Sequence, residues 1–182
     1  MLHSLKNRLR RWLNGNARDY NEGKNVMSVP NPLYVASLRA FIEEGETVQF
    51  PVRGWSMRIF VEHERDKAIL KACDPQTLKR GDVVLTRIDT PDDSEVYVLH
   101  RIIATDGQRL TLMGDGNIRG TETCLRQDVV ALVTGFLRKG NTEPDLVTSR
   151  KWRIYSWWWV RLRPIRRWLI LLWRIKQRIT RS

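Results

Sequence analysis

The sequence predicts a mainly β fold, a compact and mostly antiparallel domain. Three observations carry that expectation. Apolar and polar residues alternate in short runs such as "TVQFPV" and "EVYVLHRIIAT". Gly/Asp turns of hairpin type separate the runs, most plainly Asp106-Gly107. Little helical spacing interrupts residues 46–140, so neighbouring strands meet directly.

The elements follow in order. "MLHSLKNRLRRWLNGN" sets Leu2, Leu5, Leu9, Trp12 and Leu13 at helical spacing among basic residues, which predicts a short basic amphipathic helix. It lacks the apolar run of a secretory signal. An Asn- and Gly-rich stretch ending in "VPNP" reads as a linker. Residues 33–44, "LYVASLRAFIEE", space Leu33, Ala36, Leu38, Phe41 and Ile42 as a helix, and Gly45 is its stop. "TVQFPV" is then a strand that Pro51 assigns to an edge or a bulge. "KAILKA" is a short strand. "LKRGDVVLTRI" opens on a turn at Arg80-Gly81-Asp82 and continues as a strand, and "PDDS" is a turn. "EVYVLHRIIAT" and "QRLTLMGD" form a hairpin about Asp106-Gly107, and "QDVVALVTGFLRKG" closes the set. The expected division is therefore a basic arm and linker (1–31), a β domain with its leading helix (32–140), and a second basic arm (141–182).

Charge supports that division. The net charge is +12, yet residues 30–149 hold fifteen Lys/Arg against eighteen Asp/Glu. Residues 150–182 hold eleven Lys/Arg, no acidic residue and six of the eight tryptophans. The high isoelectric point therefore belongs to the arms, and no nucleic-acid partner is inferred for the domain. Within the C-terminal arm, helical spacing gathers most arginines on one side and Leu162, Ile165, Trp168, Leu169, Leu172 and Ile175 on the other. Pro164 kinks or divides it. Charges recur too often for a spanning helix, which needs about 18 uninterrupted apolar residues. Tryptophan at headgroup depth and arginine on anionic lipid suit a helix lying in a membrane interface, so the expected location is peripheral or monotopic. Packing on the domain or on an oligomer partner, and nucleic-acid binding, are the other readings of that helix. Cys73 and Cys124 are read as reduced and partly buried, and no metal or other cofactor is expected.

Chemistry centres on "GWSMRIF", residues 54–60. A serine becomes a nucleophile when a base lies within hydrogen-bond reach and a third group orients that base. His3 lies in the N-terminal arm and His63 in the charged run "VEHERD", while His100 lies within the strand "YVLHRII". Alternation puts Val98, His100 and Ile102 on one face and Tyr97, Leu99 and Arg101 on the other. Read as structure alone, His100 is an imidazole bonded to backbone, and Asp115, between Gly114 and Gly116, is a turn former. Read as chemistry, Asp115 lies somewhat beyond the position opposite His100 in the hairpin and reaches the imidazole from the strand end.

The ordered series "GWSM" (54–57), "RGDVVL" (80–85), "VLHRII" (98–103) and "GDGN" (114–117) resembles the superfamily of type I signal peptidases and phage-repressor-type serine peptidases. It is most similar to the Ser-His branch of archaeal and endoplasmic-reticulum signal peptidases, because His100 stands where bacterial members carry lysine. The resemblance covers about residues 45–137. It implies Ser56 as nucleophile, His100 as general base, Asp115 as its support, and an extended polypeptide substrate with small side chains near the cleaved bond. It also implies an oxyanion hole from the backbone N–H of the nucleophile, since Gly54 offers no hydroxyl two residues earlier. Met57 is expected to wall the substrate groove. The chain departs from the family in three ways. Ile59 replaces the proline of Ser-Met-x-Pro. Glu122 is a rough stand-in for a further aspartate of the endoplasmic-reticulum enzymes. Interfacial arms replace a spanning anchor. The function expected is a signal-peptidase-type serine endopeptidase acting on protein precursors at a membrane surface. The alternative is a weakly active or inactive peptidase-fold binding or regulatory module docked by its C-terminal arm. A self-cleaving repressor would require a helix-turn-helix, and the first 45 residues offer only one basic helix, a linker and a second helix.

Overall fold

A computed structural model describes residues 31–90, 95–117, 120–162, 165 and 168. The expected N-terminal helix, the linker, the "PDDS" turn and most of the arm beyond Leu162 lie outside the described residues. Helix α1 (Asn31–Glu43) leads into strands β1 (Val48–Pro51), β2 (Lys67–Lys71), β3 (Val83–Arg87), β4 (Tyr97–Asp106), β5 (Arg109–Met113), β6 (Glu122–Leu125), β7 (Val129–Leu137) and β8 (Asp145–Leu146). Helix α2 (Arg150–Arg161) follows. All strand pairings are antiparallel, in the order β1-β2-β7-β3-β4-β5-β6, with β8 added to β7. The mainly β, antiparallel expectation is what the chain adopts.

Local chemistry accounts for the elements. In α1, Val35, Leu38, Phe41 and Ile42 are buried on one side, whereas Ala36, expected on the apolar face, is exposed. The helix ends where expected: Gly45 takes φ +82°, its N–H reaches the Ile42 carbonyl at 3.0 Å, and the Glu46 N–H reaches that of Phe41 at 3.1 Å. Among the described residues β1 pairs only with β2, which explains why Pro51 is tolerated. β3 is buried almost throughout because both its faces are covered: Val83 and Leu85 join one core cluster and Val84 the other.

Two expectations change. β6 and β8 carry too few residues to announce themselves by alternation, and both are strands. The domain also continues past residue 140, because β8 extends the sheet and α2 packs on the core. Ser149 caps α2, accepting from the Trp152 N–H at 3.2 Å. Trp152, Ser156, Trp159 and Val160 are buried, and Trp152 meets Phe136 and Phe60 ring to ring at 5.1 and 4.4 Å. Burying such rings stabilises the docked helix by roughly 1.5–3 kcal/mol apiece, which outweighs its weak helical propensity. The first turns of the expected interfacial arm are thus a packed part of the domain.

Candidate active site

The site forms where the β1–β2 connection, residues 52–66, folds over the ends of β4 and β5. Val52 and Asp66 close that loop: the Val52 N–H reaches the Asp66 carbonyl at 3.0 Å, and the Glu64 N–H reaches the Val52 carbonyl at 2.9 Å. The buried Asp66 side chain accepts from the Glu62 N–H at 3.0 Å and from Arg65 at 2.6 and 2.8 Å. Burial alone would raise the Asp66 pKa. The Arg65 hydrogen bonds, the Glu62 N–H and the charges of Arg65 and Arg138 outweigh it and hold the carboxyl below its ordinary value.

Within the loop, Gly54 sits at φ +89°, a conformation that favours glycine, and its N–H donates to His63 Nδ1 at 2.9 Å. His63 is thereby a support of the turn, with its ring 4.9 Å from that of Trp55. Met57, expected to wall a groove, is only 2% exposed and belongs to the core. It anchors the turn from beneath, and its side chain is not open to a substrate. Gly54 is exposed on the turn's surface. Ile59 takes φ +92°, a strained value for a β-branched residue and one that proline, locked near −65°, cannot adopt. The departure from Ser-Met-x-Pro therefore accompanies a different backbone path.

Ser56 and His100 converge above Gly114. The point where a Cβ on residue 114 would stand is 2.4 Å from the Ser56 carbonyl oxygen, 2.9 Å from Ser56 Cβ and 3.0 Å from His100 Nε2. Two facts of the sheet produce this convergence. The register pairs Arg101 with Met113, so Gly114 falls opposite His100. Glycine then leaves an opening on that face, and the serine turn fills it. The Gly116 N–H fastens the turn by donating to the Ser56 carbonyl at 2.6 Å. Gly116 is required for the same closeness, since a Cβ there would lie 2.8 Å from the Trp55 carbonyl oxygen.

Glu122 is the carboxylate that meets the imidazole. His100 is 4% exposed, and its Nδ1 lies 3.1 Å from Glu122 Oε2. Register explains the meeting: Ile102, Leu112 and Glu122 are cross-strand neighbours on β4, β5 and β6, and His100 shares the Ile102 face two residues along. The His100 hydrogen bond is the largest influence on Glu122 and draws its pKa below the ordinary value, while burial, the next largest, opposes it. An ionised carboxylate only accepts, so the contact puts a proton on Nδ1, and in the neutral imidazole Nε2 is then the acceptor. That is the tautomer a general base requires.

Asp115 does not support His100. Both its oxygens are taken by Arg101, Nε to Oδ1 at 2.8 Å and Nη2 to Oδ2 at 2.6 Å. Arg101 is fully buried and also donates to the Gly81 carbonyl at 2.8 Å and to Ser156 Oγ at 2.6 Å. Burial would lower the Arg101 pKa, but the charge and hydrogen bonds of Asp115 outweigh it and keep the guanidinium charged. Trp159 Nε1 donates to the Asp115 carbonyl at 3.2 Å. Asp115 therefore fixes the turn that holds Ser56, and Glu122 is the carboxylate that meets His100. The sequence signal for Glu122 was its place beyond the glycine–aspartate turn. What it lacked was the register that turns its side chain toward His100.

Cys73 is half-buried and Cys124 buried, both free, and burial raises both thiols, so neither is an activated nucleophile. Among the described residues, no group of three or more His, Cys, Asp or Glu could hold a metal ion. No protein-family model matches the chain, and no curated protein matches it.

Proposed function

We propose that the chain is a serine endopeptidase of the signal peptidase type, acting on polypeptide precursors at a membrane surface. Ser56 is the nucleophile, His100 the general base and Glu122 the orienting carboxylate. The observation that carries the reading is the convergence of Ser56 Cβ and His100 Nε2 over Gly114, with Nδ1 held by Glu122. The dyad requires the Ser56 hydroxyl to turn to Nε2 by rotation about the Cα–Cβ bond. His100 accepts that proton as Oγ attacks the scissile carbonyl. Glu122 balances the imidazolium, and His100 returns the proton to the departing amine. Water then releases the acyl group by the same relay.

An active-site-directed fluorophosphonate or lactam, read by mass spectrometry, tests the assignment. Labelling is expected at Ser56 and is lost in Ser56→Ala. It falls by about 10³-fold or more in His100→Ala, with folding unchanged by circular dichroism. Labelling that is absent in the wild type, or retained in either variant, refutes the enzyme. The strained Ile59 favours a second reading, a peptidase-fold binding or regulatory module in which the serine turn no longer turns over substrate. Absent labelling in a folded wild-type protein is the result that supports it.

A further inference from the structure

Helix α2 has two apolar faces, and the domain covers only one. Trp152, Ser156, Trp159 and Val160 turn inward and are buried. Ile154, Trp157 and Trp158 turn outward and are 60%, 49% and 52% exposed, and Ile165 beyond the helix is 47% exposed. A helix lying on a domain in water keeps its outer face polar, and exposed aromatic ridges mark docking surfaces. The Trp157 and Trp158 rings meet edge to face at 4.9 Å, and the Arg161 guanidinium lies 3.9 Å from the Trp157 ring centre. Arg150, Arg153 and Arg161 are exposed on the same helix.

We infer that this outer face docks on an anionic lipid bilayer. The chemistry selects the occupant. Tryptophan rings settle at headgroup depth, and guanidinium groups among them reach anionic headgroups. A second copy would bring another segment with eleven Lys/Arg and no acid against this one, and like charges oppose that contact. The inner face gives the docking a consequence. Ser156 accepts from Arg101, Arg101 holds Asp115, Trp159 Nε1 holds the Asp115 carbonyl, and the next residue, Gly116, holds the Ser56 carbonyl. A chain of hydrogen bonds therefore runs from the inner face of this helix to the serine turn. Trp55, 56% exposed beside Ser56, lies at the other end of that chain. The docking surface rests on the membrane setting proposed above and is independent of the chemistry at Ser56.

Flotation of the full-length protein with phosphatidylglycerol/phosphatidylcholine vesicles, against phosphatidylcholine alone, tests the inference. Wild type and Ser56→Ala should both float with the anionic vesicles and stay behind with the neutral ones. The double variant Trp157→Ser/Trp158→Ser should bind the anionic vesicles at least about tenfold more weakly. It should keep the wild-type circular dichroism and probe labelling, because both side chains face away from the core. Brominated lipid should quench the tryptophan emission of bound wild type more than that of the double variant. Binding by the double variant equal to wild type overturns the proposal, as does absence of wild-type binding. A dimer that the double variant loses, without vesicle binding, makes a second copy the occupant and also overturns it. Failure of Ser56 to label overturns only the peptidase reading.

Discussion

Gly114→Ala puts a single methyl group at the centre of the candidate site. The glycine has no positive φ, so alanine brings no backbone strain, and its whole effect comes from what the methyl meets. The new Cβ would stand 2.4 Å from the Ser56 carbonyl oxygen, 2.9 Å from Ser56 Cβ and 3.0 Å from His100 Nε2. The first neighbour is backbone and cannot swing aside, so the serine turn must lift. Overpacking of this kind costs about 1–3 kcal/mol. Stretching the bond from the Gly116 N–H to the Ser56 carbonyl adds about 0.5–1.5 kcal/mol. Displacing a nucleophile by about 1 Å costs on the order of 10²-fold in rate. The assay is the rate of probe labelling at Ser56, with urea denaturation measured alongside. Gly140→Ala is the control: nothing lies within 4 Å of a Cβ there, but φ is +89°. It should lose about 1 kcal/mol of stability through strain and label at the wild-type rate. If Gly114→Ala labels as fast as Gly140→Ala, Ser56 and His100 do not meet over Gly114 and the site is wrong.

Other outcomes follow from the same geometry. Glu122→Gln replaces an acceptor by a group that can donate to Nδ1. That favours the wrong tautomer and should lower the labelling rate by about 10²–10⁴-fold with little loss of stability. Asp115→Asn should instead be read chiefly in denaturation midpoint, since Asp115 bonds Arg101 and not His100. Arg101→Met leaves the Asp115 carboxylate buried without its partner and should destabilise the domain by about 3–5 kcal/mol in urea unfolding. Acid should loosen the serine loop through Asp66. Its folded pKa is depressed, so its contribution is complete above the ordinary aspartate value and is lost as pH falls through the lower folded one. Hydrogen exchange of residues 52–66 should therefore rise in that window, and Asp66→Asn should flatten the dependence.

Much of the fold was legible because it is local. The stop at Gly45 and the alternating faces of β4 depend on residues near one another in the chain, and each stands where the pattern placed it, while the hairpin turn falls one residue later than expected, at Gly107-Gln108. β6 and β8 escaped because strands of four and two residues carry too little period to read. The buried face of α2 escaped for a different reason. Trp152 and Trp159 read equally well as lipid-seeking or core-seeking residues, and only the Phe60, Phe136 and Asp115 surfaces waiting for them decide.

The exchange of Asp115 for Glu122 rests on register, that of β4 with β5 for the aspartate and that of β5 with β6 for the glutamate. Counted back from Asp106 opposite Arg109, an unbroken hairpin sets Asp115 directly across from His100. The register shifts between Ile102 and Ala104, so Gly114 takes that place and Asp115 moves to the Arg101 face. A one-residue slip sends every side chain beyond it to the other face of the sheet. The sequence by itself determined the longer strands, the neighbourhood of their turns and which serine and histidine are candidates, because those follow from local period and residue type. The tertiary structure alone decided which carboxylate meets the imidazole and which tryptophans face the core. Both depend on register and on surfaces distant in the chain, and neither is encoded in any local run of residues.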